Sequence, residues 1–116
     1  MPTYIALTYT ADVDWTAPEN AADMAAYGEF GSTHGESIRG GAALYPTATA
    51  TTVQVRGARG GEVVLSDGPY AETKEALTGF YLIEAGDLDE ALRIAADIPA
   101  AWDGAVEVRP VIDFGG

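Results

Sequence analysis

The chain of 116 residues has no cysteine and a single histidine. The first absence excludes a disulfide framework, a thiolate nucleophile and a Cys-ligated zinc site. The second excludes a multi-histidine metal site within one chain, and no metal is expected. Cations are scarce as well: six Lys plus Arg stand against eighteen Asp plus Glu, for a formal net charge of −12. Such a surface repels phosphate backbones and anionic headgroups, so neither nucleic acid nor a membrane is an expected partner. There is no apolar run long enough to span a bilayer. Met1 leads straight into a strand pattern and not into a basic-then-apolar leader, which points to a soluble, cytoplasmic protein. Gly-x-Gly-x-x-Gly, Walker and Gly-x-Ser-x-Gly patterns are all missing, so no nucleotide or other cofactor is expected.

What is present reads as one domain over residues 1–116. A hydrophobic fraction of 47% is far above that of disordered chains. Residues 4–9 alternate with apolar groups on both sides, Ile5, Leu7 and Tyr9 on one and Tyr4 and Ala6 on the other, as in a strand covered on two faces. Thr16, Pro18 and Glu19 carry a capping-box signature for a first helix over about residues 20–34. Met24, Tyr27, Phe30 or Gly31, and His34 mark its inner face. Residues 40–44 are a weak strand. Residues 51–56 and 62–66 form a hairpin across a Gly-rich turn, with Val53 and Val55 inward. Residues 70–78 are polar and partly helical by propensity, and 79–85 are the strongest strand. Asp87 caps a second helix whose apolar stripe is Leu88, Ala91, Leu92, Ala95 and Ala96, stopped by Pro99. Residues 105–112 form the last strand.

The order is that of an α+β, ferredoxin-like βαββαβ domain with an extra β-hairpin. Two helices cover one face of such a sheet only. The strands over residues 4–9 and 79–85 are apolar on both, so a second copy is expected to cover the other face in a homodimer.

The densest group of reactive side chains lies in the loop after the hairpin. Asp67 is a candidate base or acceptor, Tyr70 a proton donor, Lys74 an anion contact, and Glu72 a group that orients Lys74 or acts as a second acid or base. The ordinary alternative is a turn capped by Asp67 and a solvated Glu72–Lys74 pair. His34 is the one side chain that titrates near neutrality. It pairs with a carboxylate such as Asp12 or Asp67 if it is catalytic, and is otherwise a helix-end residue. Asp12 and Asp14 are expected at the mouth of a pocket between sheet and helix one, or equally as loop-solvation or pre-cap residues, and Trp15 and Trp102 read as packing anchors.

The segments 48–56, Asp67-Gly68-Pro69-Tyr70-Ala71-Glu72-Thr73-Lys74-Glu75, 79–83, 88–92 and 106–110 resemble the YCII-related family in its DGPF-domain branch. The resemblance implies a dimeric α/β-barrel. It also implies small bacterial proteins, some encoded beside extracytoplasmic-function sigma factors and a few acting on small, often ring-shaped, acids through a His–Asp pair. Tyr27, and not a histidine, stands where the family places its helix-one His, with His34 two turns on. Tyr70 replaces the Phe of the branch's name motif. Together with the residues, this leads to the expectation of a homodimer that binds a small anionic molecule. Asp67, Tyr70 and His34 would be its catalytic candidates, and Lys74, Glu72, Tyr27 and Asp12 its substrate contacts. Its chemistry would be metal-free proton transfer of isomerase, lyase or dehalogenating type. The alternative is a non-catalytic accessory or sensor protein contacting a sigma factor.

Overall fold

The computed structural model describes residues 1–115. Six strands and three α-helices follow in the order β1 (Thr3–Thr10), α1 (Ala21–Thr33), β2 (Ile38–Ala43), β3 (Thr51–Arg56), β4 (Glu62–Asp67), β5 (Ala76–Glu84), α2 (Leu88–Ala95), α3 (Ala100–Asp103) and β6 (Ala105–Pro110). Short 3₁₀ turns occupy Pro18–Asn20 and Thr47–Thr49. Strands β2-β5-β1-β6 form one antiparallel sheet in that order, and β3-β4 pair as a separate hairpin. This is the ferredoxin-like α+β arrangement with the hairpin added between its second and third sheet strands.

Alternation along β1 divides the sheet into two faces. Tyr4, Ala6 and Thr8 are buried, and register sets them beside Ile83, Tyr81, Val108 and Val106. Phe30 of α1, Ala91, Ile94 and Ala95 of α2, then Ile98 and Ala100, close over this face to make the core. The opposite face carries Ile5, Leu7 and Tyr9 on β1 and Phe80 and Leu82 on β5, all half-buried, bordered by the exposed Glu107 and Arg109. It therefore has an apolar centre and a charged rim. A register shift between Thr8 and Tyr9 places the hydroxyl of Thr78 3.2 Å from those of both Thr8 and Thr10, a buried, hydrogen-bonded trio.

The shape is extended. The Cα radius of gyration is 16.3 Å, against about 13 Å for a compact domain of this length. The accessible surface is 7780 Å², against about 6,000 Å² for a folded monomer of this mass. The hairpin accounts for part of the excess: Val53 and Val55, expected to point inward, are 60% and 44% exposed. They do share one face, but among the described residues no segment of their own chain lies over it.

Three further expectations are corrected. Thr16 caps no helix. Its N–H and hydroxyl both donate to Asp14 Oδ1, at 2.9 and 2.6 Å, Pro18 opens a 3₁₀ turn, and α1 begins at Ala21 without a side-chain cap. Residues 70–75 form no helix and lead straight into β5. The buried stripe of α2 is Ala91, Ile94 and Ala95, continued by Ile98, while Leu88 and Leu92 are exposed. The Asp87 cap is formed as expected, with the Glu90 N–H donating to Asp87 Oδ1 at 2.8 Å.

Candidate functional site

Two of the molecule's concavities bear on the site. The larger is a cleft of about 660 Å³ at the end of the open face, floored by Tyr9, Leu77 and Leu44 and walled by the 45–50 and 69–74 segments. Asp12, Glu72 and Lys74 all line it. Asp12 sits just past the end of β1. It accepts a hydrogen bond from the Thr47 backbone N–H at 3.0 Å and another from the Thr47 hydroxyl, which fasten the 3₁₀ turn beneath the cleft. These two bonds hold its carboxyl below the usual range, the hydroxyl contributing most. Asp12 is thus a structural acceptor already in use. Among the described residues no carboxylate lies within 4.0 Å of the Lys74 ammonium, so Lys74 is the cationic handle of the cleft and Glu72 its exposed carboxylate.

The second concavity, about 250 Å³, lies between α1 and the covered face. Trp15, Met24, Tyr27 and Tyr81 line it with Thr8 and Thr78. It exists because β2 and β5 are thin here. A Cβ on Gly79 would meet the Ala42 carbonyl at 2.7 Å, and one on Gly41 would meet the Phe80 carbonyl at 2.6 Å. Only glycines allow the two strands this approach, and no bulky side chain fills the space under α1. Tyr27 packs edge-on to Trp15, ring centroids 5.3 Å apart. Burial, with Tyr81, Asp103 and Asp23 adding to it against an opposing hydrogen bond from the Ala100 backbone, pushes the Tyr27 phenol up to about 12; burial raises Tyr81 too. Both phenols are protonated donors at neutral pH.

The Tyr27 shift has a measurable consequence. Its folded value lies above the ordinary 10, so the stabilisation it contributes is complete below pH 10 and is lost as pH rises through about 12. In an ultraviolet alkaline titration one phenol should ionise close to pH 12, and Tyr27→Phe should remove that late step. A wild-type titration complete near pH 10 would contradict the packing described.

The sequence-derived catalytic set is not brought together. His34, at the C-terminal end of α1, faces a separate depression with Phe30, Trp102 and Asp97. Its Nε2 lies 2.8 Å from Asp97 Oδ2, and its ring packs on Phe30 at 5.2 Å. Its partner is therefore Asp97, neither Asp12 nor Asp67. Asp67 closes β4 opposite Thr51 and is exposed, and Tyr70 is 80% exposed. Neither lines the cleft, whereas Lys74, Glu72 and Asp12 do. Tyr27 belongs to the inner cavity. The sequence reading missed Tyr81 and took Trp15 for a packing anchor only. Gly40-Gly41-Ala42-Ala43 facing the glycine of Gly79-Phe80 was the available signal for a cavity. Among the described residues no group of three His, Asp or Glu is placed to hold a metal ion, and no helix is long and apolar enough to cross a membrane.

The fold and its two concavities define a ferredoxin-like α+β domain with room for a small molecule. The model of the YCII-related domain matches residues 3–115, and the chain belongs to that family. It is similar to an uncharacterized protein of Rhizobium meliloti (strain 1021), with 49% identity over 72 residues. That alignment takes 60% of this chain and 56% of the relative, so less than two thirds of the relative's length is spanned.

Proposed function

We propose that the protein is a homodimer that binds a small organic anion in the cleft between the 45–50 and 69–74 segments. The observation that carries this reading is the convergence of Lys74, Glu72 and the Asp12–Thr47 anchor, from three separate parts of the chain, on one cleft with a Tyr9–Leu77–Leu44 floor. Lys74 neutralises the anionic group, the floor receives the carbon skeleton, and Glu72 is the group available to move a proton. Proton-transfer chemistry of the isomerase, lyase or dehalogenating kind would use such a proton acceptor beside a bound acid, with the proton then returned to a second atom or a leaving group such as water or halide expelled.

The dimer is supported by surface arithmetic. The chain exposes about 1,800 Å² more than a monomer of its mass, over twice the roughly 800 Å² each partner gives to a standard interface. Tyr9 and Leu77 belong to both the open face and the cleft floor, so a second copy on that face would roof the cleft.

Calorimetry with a panel of small carboxylates tests the site. Lys74→Gln should weaken the best ligand by about tenfold or more, the worth of one charge-assisted contact. Unchanged affinity would remove Lys74 from the reading. The net charge of −12 favours a second reading, a non-catalytic accessory protein that contacts a basic partner such as a sigma factor. Capture of such a partner that fades as salt rises, with no carboxylate binding, would select it.

A further inference from the structure

The β3–β4 hairpin is amphipathic, and its apolar side is bare. Register pairs Val53 with Leu65 and Val55 with Val63, so these four side chains share one face. They are 60%, 64%, 44% and 61% exposed. A two-stranded hairpin is marginally stable without a covered face, and the further bonds of this one only close it on itself at the root. There the Gly68 N–H donates to the Ala50 carbonyl at 2.8 Å and the Thr52 hydroxyl to the Gly68 carbonyl at 2.9 Å.

Charge indicates what covers the hairpin. Arg56 and Arg59 lie at its tip, and among the described residues neither has a carboxylate within 4.0 Å. Outside residues 51–67 the chain holds sixteen carboxylates (eighteen less Glu62 and Asp67) and four cations (six less Arg56 and Arg59). The tip carries two cations against one carboxylate, Glu62, which faces Arg56 across the register, and this net positive end on an acidic body is complementary to a second acidic body. Each copy supplies both the arm and its receptor, which is the condition for a closed, two-fold contact.

We propose that the β3–β4 hairpin is an arm that seats its Val53, Val55, Val63 and Leu65 face on a second copy of the chain and sets Arg56 and Arg59 against that copy's carboxylates. This rests on the homodimer reading and extends it. Ala50 and Pro69, the residues flanking the arm's root, are also wall residues of the cleft. Seating the arm on the partner therefore fixes the cleft wall, so that dimerisation and ligand binding strengthen one another.

The test is a pair of double variants followed by sedimentation equilibrium and hydrogen exchange. Val53→Thr with Leu65→Thr keeps β-favouring side chains at exposed positions, so the subunit fold is retained. The dimer dissociation constant should rise by about tenfold or more. Arg56→Gln with Arg59→Gln should weaken the dimer at low salt and have little effect at high salt. In the wild type, β3 and β4 amides should gain protection as the concentration is raised through dimerisation. A dimer unchanged by either pair of substitutions, with hairpin amides unprotected, would overturn the arm and leave the sheet-face dimer standing. A wild-type chain monomeric at every concentration would overturn both.

Discussion

A Leu7→Asp chain is expected to sediment as single subunits under conditions where the wild type sediments as pairs. Leu7 is on the open face, on one of the two inner strands, between Phe80 on β5 and Glu107 on β6. In a two-fold dimer built on this face each copy would bury a carboxylate in an apolar seam, close to its symmetry mate. An unpaired charge in such surroundings costs several kcal/mol, and each 1.4 kcal/mol is tenfold in affinity. The dissociation constant should rise by about a thousandfold or more. Leu7 is only half-buried within the subunit, so far-ultraviolet circular dichroism should be preserved, and this separates loss of pairing from loss of fold. A variant that pairs as tightly as the wild type would place the interface elsewhere.

Ile83→Ala should have the largest effect on folding. Ile83 is fully buried on β5, opposite Tyr4 on one side and Ile38 on the other, within the cluster that α2 and Ile98 close over. Truncating it removes transfer free energy and leaves a cavity, for a loss of about 2–5 kcal/mol. In a domain of this size the thermal midpoint should fall by more than about 10 °C. A loss below about 1 kcal/mol by urea titration would show that the core lies elsewhere.

The sheet was legible in the sequence because alternation is a local signal. The two-faced pattern of residues 4–9 gave β1 and its unequal faces, and Asp87 with Glu90 gave the start of α2. What failed was decided by distant partners or by competing local bonds. Thr16 looked like a cap, but Asp14, two residues before it, takes both of its donors. The spacing of α2 fitted two stripes, and packing chose Ile94 and Ile98 over Leu88 and Leu92. Alternation placed Val53 and Val55 on one face without telling what covers it. For the candidate site, residue types were readable and their assembly was not. Asp12 meets Thr47, 35 positions away, and His34 meets Asp97, 63 positions away. Such pairings follow from topology and leave no trace in spacing. Lys74 and Glu72, singled out because a loop beside a strand is a sound place to look, line the cleft, and Asp67 and Tyr70, from the same loop, do not.

The most direct test of the central claim, that the apolar sheet face requires a second copy, is the mass of the wild-type chain in solution. Light scattering at micromolar concentration should give twice the 12.1 kDa of the chain, 24.2 kDa. A mass of 12.1 kDa throughout the accessible concentration range would contradict it.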